Sequence, residues 1–214
     1  MLSYRLNRII AAVPQCNSLA DVGCDHGFVG IQALTRGIAK QVVFADVSAE
    51  SLAKARQNIP QELMPCASFI CQDGLGSLQC DCAVIAGMGG REIIFVLRNA
   101  EFLPQYLVLQ PMKNQPDLRK YLAEEYHVAT DEKFFDGKYY DLILAIKGKG
   151  EALTDLQLLF GKTNLQRPSE DFRRFLAEEE NKYTQILQRC NSSDVANKLH
   201  YVRRASLIIQ EVQS

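Results

Sequence analysis

The sequence predicts an α/β fold: an open, mostly parallel sheet with an antiparallel hairpin at its edge, followed by a C-terminal helical hairpin. Three observations predict it. Over residues 1–150, apolar segments of strand length alternate with segments of helical period, and alternating β and α units form a parallel sheet. Two β-patterned segments then flank Asp136-Gly137-Lys138, a hairpin-turn signal. From Leu153 the apolar spacing turns to threes and fours in two stretches joined by Asn191-Ser192-Ser193-Asp194, as in two antiparallel helices.

The elements follow in order. Residues 2–13 form an amphipathic helix with Leu6, Ile9, Ile10 and Val13 on one face, ended by Pro14. Residues 19–22 are a short apolar strand, and 27–36 a helix stopped by Gly37. A second strand spans 42–46. Ser48 caps a helix over 49–58 that Pro60 closes. Further strands are expected at 68–71, 82–86 and 106–109, and helices at 92–97 and 118–125. Residues 128–135 and 140–147 make the edge hairpin, an antiparallel addition to a parallel sheet. In such sheets ligands bind beyond the carboxyl ends of the strands, where strand order reverses. The residues just after each strand are therefore the candidate site.

Composition narrows the class. A chain of 214 residues with 47% hydrophobic residues suits one α/β domain with a small appendage. No apolar run reaches the ~18 residues of a membrane span, and the N-terminal stretch lacks a signal-peptide core, so a cytoplasmic protein with no membrane association is expected. The seven cysteines are odd in number and scattered, which disfavours a secreted disulfide framework. Cys66, Cys71, Cys80 and Cys82 lie close in sequence but form no Cys-x-x-Cys pair. They are expected to be buried reduced thiols, with Cys80 and Cys82 on one face and no metal bound. The net charge of −1 makes any basic surface local.

The chemistry sits after the strands. Asp21-Val22-Gly23-Cys24-Asp25-His26-Gly27 joins the first strand to a helix. Glycines there allow a tight turn and close approach to a ligand, and the helix start offers free N–H groups. A dinucleotide site needs Gly-x-Gly-x-x-Gly for its pyrophosphate. Here Asp25 breaks that pattern and would repel one. Asp21 and Asp25 instead suit a cationic ligand such as S-adenosylmethionine, with its sulfonium and ammonium. Asp46 ends the second strand about twenty residues on, where an acidic residue takes a ribose hydroxyl pair. It also reads as a partner of the next helix.

Three later loops extend the pattern. In Gln72-Asp73-Gly74-Leu75-Gly76, Asp73 can accept from an adenine amine while backbone N–H groups donate to a ring nitrogen. Asp-Gly is equally suited to a plain β-turn. Ala86-Gly87-Met88-Gly89-Gly90 implies close backbone approach to cofactor and substrate, with Met88 placed to pack on a base. In Leu109-Gln110-Pro111-Met112-Lys113-Asn114, Gln110 and Asn114 can bond a base edge and Pro111 stiffens the loop. Gly161-Lys162-Thr163 imitates a phosphate loop, but Leu156 stands where its first glycine should be.

Together these residues resemble a family. Leu2-Ser3-x-Arg5-Leu6, Ala20-Asp21-Val22-Gly23-x-Asp25-His26, Ile85-Ala86-Gly87-Met88-Gly89-Gly90, Leu109-Gln110-Pro111 and Asp136-Gly137-Lys138-x-Tyr140 occur in this order. The chain is similar over essentially its whole length to the bacterial TrmK family, the tRNA adenine-22 N1-methyltransferases. The resemblance implies a Rossmann-like class I methyltransferase sheet across residues 1–150 that binds S-adenosyl-L-methionine. It implies a coiled-coil-like hairpin across 151–214 that helps grip tRNA, and methylation of N1 of a D-loop adenosine. Cofactor contacts are expected at Asp21, Gly23, Asp25, His26, Asp46, Asp73, Gly74 and Ala86 to Gly90, with their neighbours Cys24, Gly27, Val47 and Leu75. The family has Gln-Pro-Asn in the fifth motif, where Met112 stands here and Asn114 lies two positions later.

Adenine N1 carries an in-plane lone pair, so the site must align it with the methyl group and displace water. The base must also be turned out of its stack. Asp25, His26 and Gln110 are the candidate catalytic residues, orienting the base or shuttling its amine proton. Arg5, Arg8, Gln110, Pro111, Asn114, Arg203 and Arg204 are the candidate tRNA contacts. A monomer or weak dimer is expected. The rival readings are a nicotinamide oxidoreductase, a methyltransferase for another RNA or a small molecule, and a non-catalytic binding protein on the cofactor fold.

Overall fold

Seven strands form one sheet in the order β3-β2-β1-β4-β5-β7-β6. They are β1 (Cys16–Val22), β2 (Ala39–Asp46), β3 (Ala67–Cys71), β4 (Cys82–Met88), β5 (Tyr106–Pro111), β6 (Tyr126–Asp136) and β7 (Lys138–Lys147). The first five run parallel, and β7 joins β5 antiparallel. The computed structural model describes residues 2–212. Met1, Gln213 and Ser214, the outer ends of the two expected domains, lie outside the described residues.

The inner strands read as continuous apolar runs because both faces are covered. In β4, Cys82 and Val84 face one cluster and Ala83 and Ile85 the other. The first cluster packs beneath α1 (Tyr4–Ala12), α2 (Phe28–Thr35) and α3 (Ala49–Asn58). The second packs beneath α4 (Gly90–Arg98) and α5 (Gln115–Glu125). Ser3 and Ser48 accept from Leu6 and Ser51 backbone N–H groups, capping α1 and α3. The close seating of α2 depends on Gly30, where a Cβ would stand 2.5 Å from the Phe44 ring.

Two differences from the sequence reading have physical causes. First, α4 and α5 begin two and three residues earlier than expected, at Gly90 and Gln115. Their first turns carry Arg91 and Asp117, an ion pair at the surface, so the apolar period starts late. Second, α6 (Asp155–Phe160) and α7 (Lys162–Gln166) were not expected. Each is too short to show a period, although Thr154 and Gln157 form a capping box on α6. Residues 161–163, the imitation phosphate loop, pack at this junction. Lys162 pairs with Glu151, and Thr163 Oγ1 accepts from the Asp131 N–H.

The junction is held by a buried ion network. Arg119 of α5 donates to Asp131 of β6 at 2.6 Å and to Asp141 of β7 at 2.9 Å. It also donates to the carbonyls of Leu158 and Leu159 in α6. Lys133 closes the network on Asp141 at 2.7 Å. Beyond it, α8 (Glu170–Arg189) and α9 (Ser193–Glu211) pair over Phe172, Leu176, Val202, Ala205 and Ile209. Ser192 caps α9 by accepting from Val195, in the expected turn. Toward that turn, Tyr183, Ile186 and Leu187 are only half-buried.

The cysteine expectations need correction. All seven are free, but Cys71 is exposed and Cys66 and Cys80 are half-buried. Cys80 and Cys82 pack against opposite faces of the sheet, because β4 starts at Cys82 and Cys80 lies in the preceding loop. Among the described residues, no three His, Cys, Asp or Glu side chains are grouped to hold a metal ion, and no helix is long and apolar enough to cross a membrane.

Candidate active site

Strand order reverses between β1 and β4, and a cleft of about 590 Å³ opens over the strand ends there. The volume suits a nucleoside-sized ligand. Of the expected residues, Gly23, Asp46, Val47, Asp73, Gly74 and Met88 line it. Val22, Gln72, Arg91, Glu92, Phe95 and Val96 also line it and were not expected. The missed signal was Phe95, 57% exposed. It is an aromatic on the outer face of a helix whose Ile93, Val96 and Leu97 supply the core.

Local backbone geometry makes the site. Gly23 has φ +68°, and a Cβ there would lie 2.3 Å from Met88 Cε, so the thioether rests directly on the glycine turn. Asp25 is held in the left-handed region at φ 47°, where its N–H donates to Asp46 Oδ2 at 3.2 Å. The other oxygen, Oδ1, accepts from Ser48 N–H at 2.9 Å. A carboxylate has about four acceptor directions, so two remain at Asp46 for a diol. Asp73 is exposed at the rim and has no hydrogen-bond or ion-pair partner among the described residues.

Several expected residues serve the scaffold. Asp21 is buried and accepts from the Gly30 N–H at 2.9 Å, tying the glycine turn to α2, so it does not face the cleft. Cys24, Gly27 and Leu75 are buried, with Gly27 seated against Ala55 and Phe44 and Leu75 in the α4–α5 core. Gly90 is where the start of α4 presses on the Asn114 carbonyl; a Cβ would stand 2.4 Å from it. Gly89 N–H donates to Glu92, and a Cβ on Gly89 would meet Lys113. Asp25 and His26 are exposed outside the lining. His26 Nε2 lies 3.6 Å from Asp25 Oδ2, and the imidazole stacks on Phe28 at 5.3 Å.

Burial pushes the Asp21 carboxyl up from 3.8 to about 7; the Gly30 N–H opposes this and the charge of Asp46 adds to it. Between those values the folded state holds a proton that the unfolded chain has released, so this group makes stability fall as pH rises from about 4 to about 7. Asp21→Asn keeps an oxygen for Gly30 and should remove that fall, on the order of 2–3 kcal/mol. Denaturant unfolding near pH 4.5 and near pH 8 measures it. An unchanged pH dependence would assign the slope to other groups.

A second group of expected residues gathers at the ends of β4 and β5. Arg5 Nε donates to Gln110 Oε1 at 2.7 Å, its backbone N–H donates to Asp136 at 2.9 Å, and its guanidinium lies over the Tyr140 ring. A Cβ on Gly87 would meet Arg5 Nη2 at 3.3 Å, so the Gly-Met-Gly-Gly loop and α1 share this corner with half-buried Ala86. Gln110 and Pro111 are buried here, and Asn114 stands at φ 57° before α5. The expected tRNA arginines do not share one condition. Arg8 pairs with Glu132 and packs on Phe134, and Arg203 pairs with Glu180, so neither presents a free charge. Arg204 is exposed and unpaired among the described residues.

A family model described as a methyltransferase domain matches residues 2–143. The tRNA (adenine(22)-N(1))-methyltransferase of Bacillus subtilis (strain 168) is 28% identical over 206 residues, covering 89% of this chain and 83% of that one. The chain belongs to the TrmK family. Solved structures share the fold. M. capricolum TrmK, in complex with S-adenosyl-homocysteine, aligns at TM-score 0.87 and 23% identity over 98% of this chain and 99% of that one. A Streptococcus pneumoniae protein in complex with S-adenosyl-L-methionine aligns at 0.85 and 24%, over 96% and 100%. The matched family model ends within β7, and the helical hairpin lies beyond it.

Proposed function

We propose that this protein transfers the methyl group of S-adenosyl-L-methionine to N1 of an adenosine in tRNA, at position 22 in the D-loop region. The reading is carried by membership of a family whose B. subtilis relative is named for that reaction, and is supported by a cleft of about 590 Å³ lined by Asp46 and Asp73. S-adenosyl-L-methionine supplies an electrophilic methyl group on a sulfonium. The chain supplies position. Asp46 takes the ribose hydroxyls on its two remaining acceptor directions. Asp73 accepts from the adenine amine beside Gly74. Val47, Phe95 and Met88 form the apolar walls that displace water.

The acceptor base enters over the Gly87 turn, beside the Arg5 guanidinium. N1 attacks with its own lone pair, so no strong base is required, and alignment carries the rate. Asp25 and His26 orient the base or receive the proton that the methylated amine later releases. Around this corner Arg5 and Lys138 supply positive charge for the phosphates of a turned-out nucleotide, and Arg204 supplies it on the helical hairpin. On this reading residues 1–150 form the catalytic domain and 151–214 the tRNA-gripping appendage, in a cytoplasmic monomer or weak dimer.

The test is methyl transfer from labelled cofactor to unmodified tRNA transcripts, with nucleosides identified by mass spectrometry. 1-Methyladenosine should appear and should vanish when the D-loop adenosine is replaced. Transfer to another RNA or a small molecule instead would keep the enzyme class and change the substrate. Cofactor binding without transfer to any acceptor would leave a binding protein.

A further inference from the structure

The end of β5 carries a buried amide whose polarity its neighbours determine. Arg5 Nε lies 2.7 Å from one terminal atom of Gln110. A guanidinium only donates, so that atom is the carbonyl oxygen. The amide nitrogen therefore faces the other way, 3.3 Å from the Pro111 carbonyl and 3.2 Å from Met112 Sδ. Gln110 pairs with Ala86 across the β4–β5 ladder, beside the bulge at Gly87, the side on which the proposed acceptor base approaches. Gln110 is fully buried, whereas Met112 above it is 39% exposed. A thioether is a weak acceptor, and methionine turns about three side-chain bonds, so this cover is easily displaced.

The geometry points to Met112 as a movable cover over Gln110, and to Gln110 as the donor that reads a ring nitrogen of the target purine other than N1, its N3 or N7. Arg5 is a positioning residue: it holds the amide oxygen so that the nitrogen faces the base. The inference rests on the methyl-transfer reading above. Its logic is that of exchange. In the free protein one N–H of the amide rests on the Pro111 carbonyl and the other on sulfur; when the base arrives, Met112 swings aside and a stronger nitrogen acceptor takes the sulfur's place. A base that offers no acceptor there leaves the second N–H of the amide buried without a partner, which is how a site rejects a wrong substrate.

The experiment measures kcat and KM on tRNA, and the Kd of S-adenosylhomocysteine, for wild type and variants. Gln110→Glu removes the donor and should lower kcat/KM by roughly 100-fold, with cofactor affinity unchanged within about twofold. Met112→Leu keeps the bulk and removes the sulfur. It frees the donor and should lower the KM for tRNA roughly threefold, a gain that a merely structural role would not give. Arg5→Lys should raise that KM, and adding Met112→Leu to it should restore nothing, because the two act through one amide. Full activity of Gln110→Glu, a matching loss of cofactor affinity in it, or an unchanged or higher KM for Met112→Leu overturns the inference. Absence of transfer by the wild type overturns the function reading itself and this inference with it.

Discussion

Arg119→Met is expected to destabilise the protein by about 3–5 kcal/mol, the usual cost of removing one partner from a buried ion network. Arg119 is 1% exposed and is the shared partner of Asp131 and Asp141. Asp141 lies between Arg119 and Lys133, and those cations hold its carboxyl below the usual range despite burial. Asp131 meets Arg119 more closely, yet burial leaves its carboxyl above the usual range. Without the guanidinium, two buried carboxylates face a single lysine, and the Leu158 and Leu159 carbonyls lose their donor. The same change should loosen α6 and the helices beyond it before the sheet unfolds. Denaturant unfolding gives the loss, and limited proteolysis gives its place. Wild-type stability in Arg119→Met would show that apolar packing alone docks the appendage.

Asp46→Ala is expected to weaken cofactor binding by roughly 10²–10⁴-fold. Hydrogen bonds to a charged group contribute about 1.5–3 kcal/mol each, and two are assigned to the ribose, at about 1.4 kcal/mol per tenfold. The substitution also releases the N–H groups of Asp25 and Ser48, so the glycine turn loses the contact that holds Asp25 at positive φ. Titration calorimetry with S-adenosylhomocysteine measures the change. A normal Kd would remove Asp46 from the ribose site and leave it only its bonds to the turn. Asp46→Asn, which keeps an acceptor, should lose less.

The parts of the fold legible in the sequence were those with a long period or a marked end. The five parallel strands, the edge hairpin and the two C-terminal helices were expected, and α3 was expected to the residue because Ser48 caps it and Ile59-Pro60 ends it. Short helices such as α6 and α7 left no period to read. The candidate site was legible where a residue must stand at a strand end: Gly23, Asp46, Asp73 and Met88 all line the cleft. It was not legible where a side chain's direction decides. Asp21 and Asp25 looked alike as carboxylates in a glycine turn, yet one is buried against Gly30 and the other exposed.

Taken alone, the sequence determined which segments become strands, which turns carry glycine and acid, and which strand ends gather at the cleft. Those are local matters of hydrophobic period, φ/ψ tolerance and donor type. Only the tertiary structure decided which charges are free. Arg5, Arg8 and Arg203 were equal as cations in the sequence. The fold places the first on Gln110, the second on Glu132 and the third on Glu180. Their partners lie between 23 and 124 residues away in the chain. Such pairings depend on strand order and helix docking, which no local pattern encodes.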